Sequence, residues 1–215
     1  MTKEFIMIID YGCGNLRSAQ KACQHAADEA GLDLDVVISN KAEDIARASH
    51  LVLPGQGAFG DCMSGLQKSG MLPALEEAVL RKKVPFLGIC VGMQLLAREG
   101  HEHGNHQGLG WLDATVEAIQ PSDASLKIPH MGWNDIAHHQ DHPVLDGIQD
   151  GDHFYFVHSY QMHLADSQAL LLSCDYGGSI VGAVAKDNIV GVQFHPEKSA
   201  EAGLRLIGNF LRWTI

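Results

Sequence analysis

The stretch Gly88-Ile89-Cys90-Val91-Gly92 sets one cysteine between two glycines, where an apolar run meets a helical pattern. That spacing has the form of a nucleophile elbow with sulfur in place of a hydroxyl. The glycines let a strand and a helix cross at a sharp turn, and the apex carries the nucleophile. At a helix N-terminus, free N–H groups and the macrodipole favour thiolate over thiol. The plainer reading is a small buried hydrophobe, the usual place of a free cysteine. On this segment alone both readings stand.

A thiolate that attacks an acyl carbon needs a base brought to it by the fold rather than by the sequence. Thirteen histidines compete. His101, His103 and His106 lie in "HEHGNH", and His138, His139 and His142 in "HHQDH". Both runs read as solvated loops, without the ligand spacing of a metal site. His195 differs, because it closes the apolar run "GVQF" and Pro196 stops the strand behind it. Glu197, two residues on, is placed to orient the imidazole and stabilise its charged form. An ordinary strand-end histidine is the alternative, but the elbow favours the functional reading. Acyl transfer also needs oxyanion donors. The N–H of Val91 is one candidate, and the turn Gly55-Gln56-Gly57 supplies another.

These residues must be positioned by a sheet. "FIMII" is a short unpatterned apolar run, as a strand buried on both faces requires. Helical spacing follows over 15–30, then a strand in "LDLDVVIS", a short helix in "AEDIARA" and a strand in "HLVLPG". A helix is predicted over 71–82 and a fourth strand in "VPFLGI". This alternation predicts an α/β fold with a mostly parallel central sheet and helices on both faces. From 114 to 194 the chain is β-rich. "GAVAKDNIVGVQF" reads as a hairpin turning at Asp187-Asn188, and 203–213 as a closing helix. The expectation is one domain over 1–215 with an antiparallel β extension in its second half. Three Gly-rich turns, at 10–15, 54–57 and 88–92, follow predicted strands and should share the edge where ligands of open α/β sheets bind.

The 26 acidic and 15 basic residues give a net charge of -11, which argues against a nucleic-acid phosphate backbone as partner. Five cysteines without a CxxC pair argue for free thiols in a reducing compartment. Cys13, Cys23, Cys62 and Cys174 lack the glycine frame and read as structural. The first apolar run is too short for a signal segment, and no stretch approaches a membrane span. The expectation is a cytoplasmic chain without a metal or an organic cofactor.

"GICVGMQLL" together with "FHPEKS" resembles the class I glutamine amidotransferase family, whose members hydrolyse L-glutamine with a Cys-His-Glu triad. "DYGCGNLRS", "LPGQGAFGDCM", "IPHMGWN" and "YFVHSY" extend the resemblance over nearly the whole chain. They narrow it to the glutaminases that serve a cyclase in histidine biosynthesis. The resemblance implies Cys90 as nucleophile, His195 as base and Glu197 as its orienter. It implies Gly57, Gln94, His158, Ser159 and Tyr160 as the residues around the glutamine. It also implies a heterodimer in which the partner is a (β/α)₈ cyclase. Ammonia would pass from one to the other, and the cyclase would form imidazole glycerol phosphate and aminoimidazole carboxamide ribotide. Met131, Trp133, Tyr155 and Lys198 match the family's interface with that partner, and Asn15 a position near the oxyanion strand. Gln56 stands where the family often has valine, and Val91 where it often has leucine. Rival readings are a γ-glutamyl hydrolase, the glutaminase of pyridoxal phosphate synthesis, or a non-catalytic scaffold for the cyclase.

Overall fold

The computed structural model describes residues 4–215. In chain order the first half comprises β1 (Phe5–Ile9), α1 (Leu16–Glu29), β2 (Asp35–Ser39), α2 (Ala42–Ile45) and β3 (His50–Gly55). It continues through α3 (Phe59–Lys68), α4 (Leu72–Glu76), β4 (Phe86–Cys90) and α5 (Val91–Gln94). The second half holds β5 (Glu99–Gly100), β6 (His106–Gln107), β7 (Ala114–Ala118), β8 (His130–Asp135), β9 (Ala137–His138) and β10 (His153–His158). Then come β11 (Tyr160–Leu164), β12 (Leu170–Asp175), β13 (Ser179–Lys186), β14 (Ile189–Val192) and α6 (Ala200–Arg212).

Eight strands form the main sheet in the order β2-β1-β3-β4-β14-β13-β12-β9. Pairing is parallel from β2 through β14 and antiparallel from β14 to β9. The expected parallel sheet with an antiparallel extension is therefore present. β1, β3 and β4 are buried along nearly their whole length, as their unpatterned apolar sequences demand. The hairpin turns where predicted, with Asp187 in the left-handed region at φ 52°. Asn188 is fully buried there, and its amide Nδ2 donates to the carbonyls of Val79 and Val84.

Three local expectations change. The predicted helix over 71–82 is α4 followed by a π turn at Glu77–Arg81, where the wider i→i+5 geometry takes over. α3 was not anticipated. "HFYFVHSYQM" is not one strand: it breaks at Ser159 into β10, which pairs with β8 in a two-stranded ribbon, and β11, which joins a separate sheet β11-β7-β5-β6.

β14 lies directly beside β4, with Val192 opposite Ile89. The residues after β14 are thereby carried past Cys90. Phe194 is fully buried against Phe154 (4.1 Å) and Phe156 (5.6 Å), pairs worth about 0.5–1.5 kcal/mol each beyond their buried area. Ser199 ties the next turn down: its Oγ donates to the His195 carbonyl at 2.7 Å and accepts the Tyr155 N–H at 2.9 Å. α6 packs on α1 and on this turn.

Candidate active site

Cys90 ends β4 with φ 54° and ψ -112°, a conformation that costs a non-glycine residue about 1–3 kcal/mol. The glycines flanking it explain how the strain is held. A Cβ on Gly92 would overlap the Leu53 carbonyl oxygen, and one on Gly88 would lie 2.6 Å from the Gly92 carbonyl oxygen. A larger residue at Gly92 would push the turn away from β3, and one at Gly88 would push α5 away from β4. The elbow geometry is thus a packing requirement of β3, β4 and α5 together. α5 is only four residues long, so the macrodipole expected behind Cys90 is small, and the charge that faces the sulfur is supplied elsewhere.

That charge comes from His195, which lines the same cavity as Cys90 and interacts with its sulfur. Its Nδ1 lies 2.8 Å from Glu197 Oε1, with both side chains buried. Burial pulls the imidazole down. The interactions with Cys90 and with Glu197 outweigh it, pushing His195 to about 9. The second carboxylate oxygen, Glu197 Oε2, is buried and has no hydrogen-bond partner among the described residues. Cys23, on α1, feels the Glu197 charge. Burial first and that charge second push its thiol up to about 12. Burial also leads the rise of Cys62 and Cys174 to about 12. These three are thiols at neutral pH. Cys13 is half-buried.

A cavity of about 280 Å³ opens over Cys90. Its walls include Gln56, Gly57, Val91, Gln94, His158, Ser159, Tyr160 and His195, so the fold gathers these expected residues at one place. Gly55 is the register partner of Cys90 across β3 and β4 and sits behind the wall. Gln56 is exposed, and its carbonyl accepts from the Cys62 thiol at 3.5 Å. Gln94 is buried, with Nε2 donating to the Tyr160 carbonyl and to Gln193 Oε1, both at 3.0 Å. Asn15 caps α1 by accepting the Ser18 N–H at 3.3 Å. The adjoining Gly14 packs on Pro54, at the start of the 54–57 turn.

Lys198 reaches the cavity and also lies 5.9 Å over the Tyr155 ring, which meets Trp133 edge-on at 6.0 Å. Met131 and Trp133 are 60% and 53% exposed, far more than large apolar side chains ordinarily are. The four residues assigned to an interface thus run from the cavity rim out to solvent.

Sequence reasoning missed three contributors. Gln193 donates to Cys90 Sγ at 3.7 Å, and an amide inside an apolar strand carries no spacing signal. Tyr11 donates through its hydroxyl to the Pro54 carbonyl at 2.9 Å. Glu102 lines the cavity and accepts the Phe59 N–H at 2.8 Å. This corrects the reading of "HEHGNH" as purely solvated loop. Glu102 holds α3 and the cavity rim together, and β5 and β6 give the run a backbone frame. In "HHQDH", His138 lies 2.9 Å from the Asp150 carboxylate and His139 2.8 Å from Ser173 Oγ. Among the described residues no three His, Cys, Asp or Glu side chains are grouped to hold a metal ion. No described helix is long and apolar enough to cross a membrane.

The chain carrying this site matches the Glutamine amidotransferase class-I family over residues 8–213. The chain belongs to that family. Solved structures share its fold at low identity. One is a glutamine amidotransferase from Thermotoga maritima (TM-score 0.63, 19% identity, 95% of this chain and 81% of that one). Another is PurLQS from the same organism (TM-score 0.69, 17% identity, 98% of each chain). Sequence similarity is far higher to the HisH subunits of imidazole glycerol phosphate synthase. It is 54% identical to that of Rhodospirillum rubrum over 97% of this chain and 98% of the relative. It is 51% identical to that of Brucella abortus, over the same shares. Within the family the chain is therefore a glutaminase of the HisH type, acting in histidine biosynthesis.

Proposed function

We propose that Cys90, His195 and Glu197 are the nucleophile, proton carrier and orienter of the glutaminase reaction. The observation that carries the assignment is that Cys90 and His195 line one cavity, with His195 held by Glu197 at 2.8 Å behind it. At neutral pH His195 holds a proton, and a nearby imidazolium favours the thiolate form in which a cysteine attacks. The thiolate attacks the side-chain amide carbon of glutamine. Negative charge collects on the carbonyl oxygen, where N–H groups of Val91 and of the Gly55-Gln56-Gly57 turn would receive it. His195 gives its proton to the departing nitrogen, ammonia leaves, and a glutamyl thioester remains. Water then loses a proton to the neutral His195 and attacks the thioester. Glutamate departs as the thiolate–imidazolium pair is restored.

The cavity suits a small zwitterion. Glu102 and Lys198 offer one charge of each sign at its walls, beside the backbone of His158, Ser159 and Tyr160. Replacing Cys90 by alanine should abolish glutamine turnover. Undiminished turnover would refute the nucleophile assignment.

The relatives are named as subunits of a synthase. We read the partner of this chain as a (β/α)₈ cyclase, docked on the face that holds Met131, Trp133, Tyr155 and Lys198, with ammonia passing between the two. The chain then acts as one unit over 1–215 in the cytoplasm, where its five free thiols are stable. Glutamine turnover should be slow alone and faster with the cyclase and its nucleotide ligand. Equal rates in the two conditions would remove the coupling.

A further inference from the structure

Two buried histidines take no part in this chemistry. His130 and His158 face each other as register partners at one end of the β8–β10 ribbon, and both are buried. His130 Nδ1 lies 3.0 Å from His158 Nε2. The His130 ring is stacked between Phe156 at 4.8 Å and Tyr176 at 4.0 Å.

The direction of every bond in this chain is fixed. His158 Nδ1 is 2.8 Å from the Tyr160 carbonyl, which only accepts, so Nδ1 carries the hydrogen. Burial pushes His158 down to about 3 and His130 to about 4, so both rings are neutral at pH 7. His158 Nε2 is then bare, and His130 Nδ1 must donate to it. His130 Nε2 is bare in turn and accepts from Asn134 Nδ2 at 3.2 Å. The Asn134 amide has one orientation. Its Nδ2 donates to the Asp175 carbonyl at 2.8 Å, and its Oδ1 accepts the Asp135 N–H at 3.0 Å.

The chain runs inward as well. The Tyr160 carbonyl that receives His158 also receives Gln94 Nε2, which reaches Gln193 Oε1, and Gln193 Nε2 reaches Cys90 Sγ. Outward, side chains alternate along β8. Met131 and Trp133 are exposed on one face, while His130 is buried and Asn134 half-buried on the other.

We infer that His130 is a positioning residue: through His158 it fixes the Ser159–Tyr160 wall of the cavity to the ribbon carrying Met131 and Trp133. A partner's grip on that ribbon is then transmitted to Gln94, Gln193 and Cys90. This rests on the reading that the same face receives the cyclase.

Two measurements test it. The first is a long-range proton–nitrogen correlation spectrum of the free chain with ¹⁵N-histidine at pH 7, assigned with His130→Asn. Both rings should carry hydrogen on Nδ1 and none on Nε2, the minority tautomer of free histidine. A hydrogen on His158 Nε2 would overturn the relay without any partner being involved. The second compares glutamine turnover with and without the cyclase and its nucleotide ligand, alongside the cyclase affinity of each variant. His130→Phe keeps the ring stacking and loses both bonds. Its stimulation by the cyclase should fall about tenfold, the scale of one buried hydrogen bond, with unchanged cyclase affinity. His130→Asn keeps a donor where Nδ1 stood and should recover most of that loss. Wild-type stimulation in His130→Phe, or no recovery in His130→Asn, would overturn the inference and leave the partner reading intact. Absent stimulation of the wild type would instead remove the partner reading.

Discussion

Substituting Glu197 by glutamine isolates charge from shape. In the wild type, Glu197 Oε1 accepts from His195 Nδ1 at 2.8 Å and Oε2 is buried without a partner. A glutamine can place its carbonyl oxygen at Oε1 and keep the bond, but its NH₂ then occupies the unpartnered position. What disappears is the negative charge. A carboxylate at this range raises a neighbour's pKa by about one to three pH units, or about 1–4 kcal/mol. His195, at about 9 in the wild type, should fall to between about 6 and 8 in the variant. Because the imidazolium in the proposed mechanism is the acid that protonates the departing nitrogen, kcat should lose activity as pH rises through that value. The alkaline limb of the kcat profile therefore sits near 9 in the wild type and moves down by about one to three pH units in Glu197→Gln. At pH 8 the protonated fraction of His195 should drop from about nine-tenths to between about one-half and one-hundredth, so the variant should be slower by about 2- to 100-fold. Stability follows the same sign. An imidazole raised from 6.5 to about 9 favours the folded state fully below 6.5, and loses that contribution as pH rises through 9. The assay is ammonia release from saturating glutamine, in the complex, between pH 6 and pH 10. An alkaline limb that stays near 9 in Glu197→Gln would refute the electrostatic argument, whatever happens to the rate.

Three further outcomes are expected. Trp133→Ala should weaken cyclase binding by about 30-fold, the scale of an interfacial aromatic anchor, measured by titration calorimetry; free-chain glutamine turnover should hold. Gly92→Ala drives a Cβ into the Leu53 carbonyl, so the urea midpoint should drop by the equivalent of about 3 kcal/mol or more. Asn188→Ala leaves the Val79 and Val84 carbonyls buried without their donor, costing about 1–3 kcal/mol. That lowers the thermal midpoint by about 2–10 °C without altering the KM for glutamine.

The site was legible where a residue type is forced by backbone geometry. The Gly88 and Gly92 pair marks the elbow because no side chain fits where β4 meets α5 or where α5 meets β3, and Pro196 marks the end of the strand that delivers His195. Gln193 left no mark, because a buried amide looks like any strand residue until its partners are known. Glu102 was hidden in a polar run for the same reason. The fold was legible where patterning is strong, as in β1, β3 and β4. It failed at Ser159, where β10 ends and β11 begins without any Gly or Pro. Alternation tells which residues share a face, but not which sheet receives the strand. The relay from Asn134 to Tyr160 was equally hidden, since it joins residues from three segments across that break.

The placement of β14 beside β4 has a consequence in time. Cys90 and Gln193 are 103 residues apart, and His195 comes two residues later still. At the usual pace of synthesis, about 5–20 residues per second, the cysteine precedes its base by about 5–20 seconds. The first four parallel strands can assemble around the elbow in that interval, but the place of β14 stays open. Through that time the chain carries Cys90 without the proposed base and acid, His195. On the proposed assignment, the strand that joins the parallel half of the sheet to its antiparallel half is also the one that brings the base.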